Sequence, residues 1–219
     1  MIKHKNPERP GIPTRKHYYQ KTPDILLDSE IPLLLDEALK HCFRDYTLIS
    51  FALNTGLRNA EVIGLDVFNV LPFGSVVDTL NLPARIAKGK KPRNIPLNPN
   101  IKAILETYFF EEYKSEKITS DKSPLFRSRW SNKRLGSRDF QQILERHAIK
   151  SIHRPCNPHM LRHTFATKLI GQANIKIVQE ILGHSSIQNT QIYLHPSASD
   201  KLDAVSKLNF GHNRKEVTP

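Results

Sequence analysis

Cysteine occurs only at Cys42 and Cys156, so no disulfide framework staples this chain. Its 219 residues are enough for one large domain or two small ones held by an apolar core alone. No uninterrupted apolar run of about 18 residues occurs, which leaves no candidate for a membrane-spanning helix. The basic N-terminus also lacks the apolar stretch of an export signal, and together these absences fit a reducing, cytoplasmic setting. A GxxxxGK[ST] phosphate loop is missing as well, since AKGKKPRN (residues 87–94) lacks its spacing, and no nucleotide cofactor is expected.

Acidic residues are scarce relative to bases, 21 against 33, a formal charge of +12. Such an excess suits a polyanionic partner, because cations that pair with phosphates release counterions. The charge is patchy: residues 84–94 hold five bases and residues 122–138 hold six, neither with an acid, whereas residues 106–121 carry five acids.

Residues 1–24 mix bases with prolines and show no apolar period, as expected of a flexible arm. Order is expected from Asp28, with a helix presenting Leu33, Leu34 and Ala38 and a second buried helix from Tyr46 to Leu53, stopped by Asn54 and Gly56. A short third helix holds Arg58, Glu61, Val62 and Leu65. Residues 67–97 read as a small sheet with AKGKKPRN as a basic turn. Helical periodicity returns over residues 101–113 and 140–148. Asn157 caps a helix with Pro158 in its first position and Leu161, Phe165 and Leu169 as its apolar set. Ile175, Val178, Ile181 and Leu182 form the next stripe, ended by Gly183, and Ser185 is placed to cap a short helix reaching Tyr193. Leu202, Val205 and Leu208 make a last amphipathic segment. The expected class is mainly α with a small antiparallel sheet.

His159 and Arg162 share one helix face, and His159 falls in the first turn, where free N–H groups and the positive dipole end favour an anion. By spacing alone, two neighbours in a basic protein account for the pair equally well. Longer stretches carry more. NPHMLRHTFATKL followed by VQEILGHSSIQNTQIY strongly resembles the C-terminal signature of the tyrosine recombinases, the phage integrase family. TGLRNAEVIGL (residues 55–65) resembles that family's upstream arginine box, and RIAKGKKPRNIPL resembles its lysine hairpin.

The resemblance implies the DNA breaking-rejoining catalytic fold, with Arg58 and Arg162 as an arginine pair, Lys88 as the hairpin lysine, His159 and His184 as the histidine positions and Tyr193 as nucleophile. The Lys-Gly step alone singles out Lys88, and Lys90 is the alternative. The residue types suit strand transfer. Only about one tyrosine in a thousand is phenolate at neutral pH, equivalent to about 4 kcal/mol against attack, which nearby cations must offset. Arginine grips two phosphate oxygens and stays charged, and a lysine beside other cations can hand a proton to the departing hydroxyl. His159 is expected to assist proton transfer at the tyrosine and His184 to bond the phosphate. A phosphotyrosine ester keeps the bond energy, so no cofactor is required.

Other residues read more modestly. Glu61 is expected to orient Arg58, and His163 to be a core or hydrogen-bonding histidine. His153, Cys156, His159 and His163 are interrupted by Pro155 and Pro158 and complete no zinc set. Lys90, Lys91, Arg93, Arg127, Arg129, Lys133 and Arg134, the last four around Trp130, are candidates for the DNA backbone, with a solvated surface as the plain alternative.

The expected organisation is a basic arm (1–24), a catalytic domain (25–195) and a C-terminal helix and tail (196–219) that exchanges between subunits, without the separate N-terminal core-binding domain of most relatives. The expected partner is double-stranded DNA, engaged as a homotetramer by a protein that is monomeric or dimeric when free, with accessory DNA-bending proteins and a nucleoid-associated location. The rivals are a non-catalytic DNA-binding regulator or decayed integrase fragment, and a type IB topoisomerase-like enzyme.

Overall fold

The computed structural model describes residues 24–112, 114, 120, 122–131, 133–194, 202 and 205–207, and the backbone of residue 113. The expected arm, apart from Asp24, and most of the expected tail lie outside the described residues. Leu202 and Val205 are exposed, and Leu208 is not among those described.

Helix α1 (Glu30–His41) carries Glu30 in its first turn and Lys40 and His41 in its last, the signs that the helix dipole favours. It buries Leu34 and Ala38, but Leu33 is 51% exposed, because the buried stripe is narrower than the apolar pattern suggested. Helix α2 (Phe43–Thr55) is the centre of the domain. Leu48, Ile49, Phe51 and Ala52 are buried, and α2 packs on α1, on α5 (Pro99–Lys114) and on α7 (Pro158–Ile170). Helix α6 (Ser137–Ile152) closes the bundle against α1 and buries Phe140, Ile143, Leu144 and Ala148.

The sheet is smaller than residues 67–97 implied. Val67–Val70 form a helical turn, α4, not a strand: Asn69 Oδ1 accepts the Asp66 N–H at 2.9 Å, and Val67 and Val70, three apart, are buried together. Among the described residues, the sheet is the antiparallel pair β1 (Thr79–Leu82) and β2 (Arg93–Pro96), with Leu80 opposite Ile95 and Leu82 opposite Arg93. Between them the basic turn tightens at Lys88–Lys90, where Gly89 and Lys90 both take positive φ.

Asn157 Oδ1 accepts the Met160 N–H at 3.1 Å, capping α7 with Pro158 in the first position. Of the expected apolar set, Leu161 is in the main core. Phe165 and Leu169 instead join Ala166, Val178, Leu182 and Tyr193 in a second cluster between α7 and α8 (Ile175–Leu182). The last short helix, α9, covers only Gln188–Gln191, with Ile187 rather than Ser185 at its N-cap position; the Ser186 hydroxyl accepts the Gln188 N–H at 3.3 Å.

Two glycines end helices in the left-handed region, Gly56 after α2 and Gly183 after α8. Gly56 also lies under Phe165: an added Cβ would sit 2.2 Å from its Cδ1. Gly56→Ala should therefore cost about 1–2 kcal/mol in backbone strain alone, plus repacking of Phe165. Urea denaturation should show a lower midpoint with an unchanged slope.

Candidate active site

The turn at Gly56 delivers Leu57 to the core and Arg58 to the start of α3 (Asn59–Gly64). Glu61, 1% exposed, gathers what surrounds it. Its Oε2 accepts the Arg58 N–H at 2.9 Å and Arg93 Nη2 at 2.7 Å, while Oε1 accepts Arg93 Nη1 at 3.0 Å and Arg58 Nη1 at 3.1 Å. Arg93 Nε donates to Ile181 O at 2.8 Å, so α3, β2 and α8 meet at one carboxylate. Burial alone would raise the Glu61 carboxyl, but the Arg93 bonds, the Arg58 backbone bond and both positive charges prevail and hold it at about 2.

Arg162, on α7, is 4% exposed. Its Nη1 donates to Gly56 O at 2.7 Å, and its Nη2 donates to Leu182 O at 2.8 Å and to His184 Nε2 at 3.0 Å. A guanidinium has no acceptor, so His184 Nε2 must present a lone pair and its proton sits on Nδ1, which donates to Thr190 Oγ1 at 2.9 Å. Burial and the charges of Arg162, Arg58 and Arg93 push His184 down to about 4, so it is neutral at physiological pH. Burial and Arg58 push Arg162 down to about 10, which leaves it charged.

Tyr193 is 3% exposed. Its hydroxyl lies 2.6 Å from His163 Nδ1, and its ring runs nearly parallel to His184, 14° between planes and 6.5 Å between centroids. Burial raises the phenol pKa, while Arg162 and Arg58 pull it back. Burial, His159 and Arg162 lower that of His163.

The structure thus brings Arg58, Arg162, His184 and Tyr193 together with Glu61 and His163. His159 stands outside this group, exposed, with its ring centroid 6.4 Å from that of His163. Lys88 is also exposed, and its backbone N–H reaches Glu61 Oε1 at 3.4 Å. Lys88, Lys91, Arg58, Lys176, His184 and Asn189 line one open cleft. Among the remaining bases, Lys90, Lys91, Arg129 and Lys133 are exposed. Three arginines are engaged by the fold itself: Arg93 by Glu61, Arg127 by Glu112 at 3.0 Å, and Arg134 by Ile63 O and Leu65 O, both at 2.7 Å. Sequence reasoning missed Thr190 and the inward role of Arg93. Nothing in the spacing marks a threonine six residues after a histidine, and Arg93 reads as one more base in a basic turn.

Metal is not favoured by the donors present. Among the described residues, His41, Cys42 and Asp45 approach one another closely enough, but Asp45 is already paired with Arg44 and, at 3.0 Å, with His147 Nε2. Cys156 is buried and its thiol is pushed up to about 12 by that burial.

A mainly helical domain with a two-stranded hairpin, gathering two arginines and a histidine beside a C-terminal tyrosine, is a tyrosine recombinase catalytic-domain fold. The chain belongs to the phage integrase family, whose pattern matches residues 25–200. It is 36% identical over 210 residues to a tyrosine recombinase of Pseudothermotoga lettingae, covering 94% of this chain and 68% of that one. It is 34% identical to the tyrosine recombinase XerD of Staphylococcus epidermidis, covering 83% and 61%. The chain therefore spans about three-fifths to two-thirds of the length of these relatives. Among solved structures, XerA recombinase superposes with a TM-score of 0.67 at 26% identity (85% of this chain, 65% of that one). XerH bound to its difH substrate before cleavage gives 0.67 at 25% (85% and 55%). No helix among the described residues is long and apolar enough to cross a membrane.

Removing the carboxylate at Glu61 would leave two guanidinium groups facing each other. Glu61→Ala should lower stability by about 3–5 kcal/mol. Because the folded carboxyl titrates at about 2 against an ordinary 4.5, its contribution is complete above about pH 4.5 and fades as pH falls towards 2. The gap between wild type and variant in urea midpoint should narrow over that window.

Proposed function

We propose that this chain is the catalytic part of a site-specific DNA recombinase or integrase that cleaves and rejoins strands through a 3′-phosphotyrosyl intermediate. The observation that carries this reading is the placement of Tyr193 beside Arg162, Arg58 and His184, cationic or hydrogen-bonding groups drawn from three separate segments. Arg162 is locked by Gly56 O and Leu182 O and acts as a fixed charge. Arg58 is held more loosely, with 3.4 Å contacts to Leu182 O and Gly183 O and a side chain 20% exposed, so a phosphate oxygen can replace those carbonyls. Together the two guanidinium groups stabilise the charge that builds on a five-coordinate phosphorus.

Lys88, exposed on the hairpin beside the cleft, is placed to give the departing 5′ oxygen its proton, and Lys90 is its neighbour in the same turn. Tyr193 is buried, so its attack on a duplex requires residues 185–194 to shift on α7 and α8. Duplex DNA is the partner, and its backbone meets the exposed bases Lys90, Lys91, Arg129 and Lys133. The XerH structure in complex with difH supports a DNA-bound state for this fold. A homotetramer on DNA, with the C-terminal segment exchanged between subunits, would pair four such sites. Accessory bending proteins and a nucleoid location complete the reading.

A nicked suicide duplex should trap a covalent adduct that Tyr193→Phe abolishes and that chelation of metals leaves unchanged. Arg162→Ala should slow cleavage by about 100-fold or more, with much smaller loss of DNA binding, because its charge acts chiefly in the transition state. Retained DNA binding with no adduct from the wild type would support the non-catalytic regulator instead. Relaxation of supercoils by a monomer would support the topoisomerase.

A further inference from the structure

Arg93 opens β2, opposite Leu82, and closes the basic turn in which Lys88 stands. Between the buried Ala87 and Arg93, whose side chain is 9% exposed, residues 88–92 form an exposed arc. Both ends of the arc come to one carboxylate. Arg93 Nη1 and Nη2 donate to the two oxygens of Glu61 at 3.0 and 2.7 Å, and the Lys88 N–H lies 3.4 Å from Glu61 Oε1. A third donor, Arg93 Nε, meets Ile181 O at 2.8 Å. The side chain also passes beneath Gly183, where an added Cβ would sit 3.0 Å from its Cδ and 3.1 Å from its Nε and Cζ. This guanidinium is engaged by the fold rather than offered to a phosphate.

We propose that Arg93 is a positioning residue for protonation of the leaving group: it holds the arc on Glu61, so that Lys88 keeps a fixed place relative to Arg58, which bonds the same carboxylate. This rests on the reading of Lys88 as the donor of the proton that the departing 5′ oxygen receives.

The reason is geometric. Proton transfer needs donor and acceptor within hydrogen-bond reach, and displacing a positioned group by about 1 Å can cost about 100-fold in rate. Lys88 is followed by Gly89 and Lys90, both at positive φ, and its own backbone tether to Glu61 is long, so the three shorter bonds of Arg93 are the firmer end of the arc. A lysine in place of Arg93 would keep a positive charge beside Glu61. It would lack the planar fork that joins both carboxylate oxygens and the Ile181 carbonyl at once. None of these partners lies within residues 185–194, so the anchor persists when the segment carrying Tyr193 shifts.

The substrate can be made independent of the proton. In a suicide duplex with sulfur in place of the bridging 5′ oxygen at the scissile phosphate, the P–S bond breaks and sulfur leaves with the bonding pair as a thiolate. A thiol is far more acidic than an alcohol, with pKa about 8.5 in cysteine, so the thiolate takes no proton from the lysine. Single-turnover adduct formation by Arg93→Lys and Arg93→Gln should fall about 10-fold or more on the all-oxygen duplex. On the sulfur duplex both variants should return close to the wild-type rate, as should Lys88→Ala. A share of unfolded enzyme scales both rates alike, so the ratio between the two duplexes does not depend on stability. An equal fall on both would mean lost folding or a displaced Arg58 and would overturn the proposal. Rescue of Lys88→Ala without rescue of the Arg93 variants would likewise remove Arg93 from this role. If sulfur failed to rescue Lys88→Ala, the reading of the lysine itself would fall, so the failures are told apart.

Discussion

One buried carboxylate sets the geometry on which everything else in this site depends. Glu61 bonds two guanidinium groups and a backbone N–H with both its oxygens, and Arg93 passes the constraint on to the Ile181 carbonyl. Three elements distant in sequence therefore hold a fixed distance from each other. The hairpin that carries Lys88 is anchored from below by Arg93, and α8 is drawn to the same point, so that its last carbonyls face Arg58 and Arg162. Without that anion, Arg58, Arg93 and Arg162 would repel one another inside a poorly solvated space. With it, the local balance is still positive. The site thus folds by satisfying one anion of its own and keeps an excess of charge for another.

How that excess is distributed explains which parts of the site were legible beforehand. Arg58, Arg162, His184 and Tyr193 stand in short stretches whose residue order is characteristic, so the resemblance could name them. Their local supports could be read too: Gly56 and Gly183 stop helices, and Asn157 caps one, each for a reason visible within four residues. Arg93 could not be read correctly. In a turn of four bases every one looks like a surface charge, and only the pairing of β1 with β2 decides which of them points inward. Arg127 and Arg134 failed to reveal themselves for the same reason, since their partners Glu112, Ile63 and Leu65 come from other elements.

The fold shows a parallel division. Helices with a clear apolar period appeared about where expected, with ends differing by a few residues. Val67–Val70 did not, because two valines three apart serve a buried helical turn as well as a strand, and Asn69 decided the matter through its bond to the Asp66 N–H. The second apolar cluster, which holds Phe165, Leu169 and Tyr193 together, was invisible because periodicity says which face is buried and not against what.

That second cluster matters most for reactivity. Burial raises the cost of ionising Tyr193, and the arginines only partly reverse it, so the resting phenol is less reactive than one in water would be. A reactive phenolate standing beside Arg162 at all times would instead risk attack on any phosphate that drifted in. The structure places the restraint in packing rather than in charge: the hydroxyl is held by His163 beside the apolar cluster of Phe165, Ala166, Val178 and Leu182. On the proposed reading, a phosphate entering between Arg58 and Arg162 would bring the negative charge that balances the site's positive excess, and the same groups would become selective for the transition state of attack by Tyr193. Activation and substrate recognition would then rest on one electrostatic event.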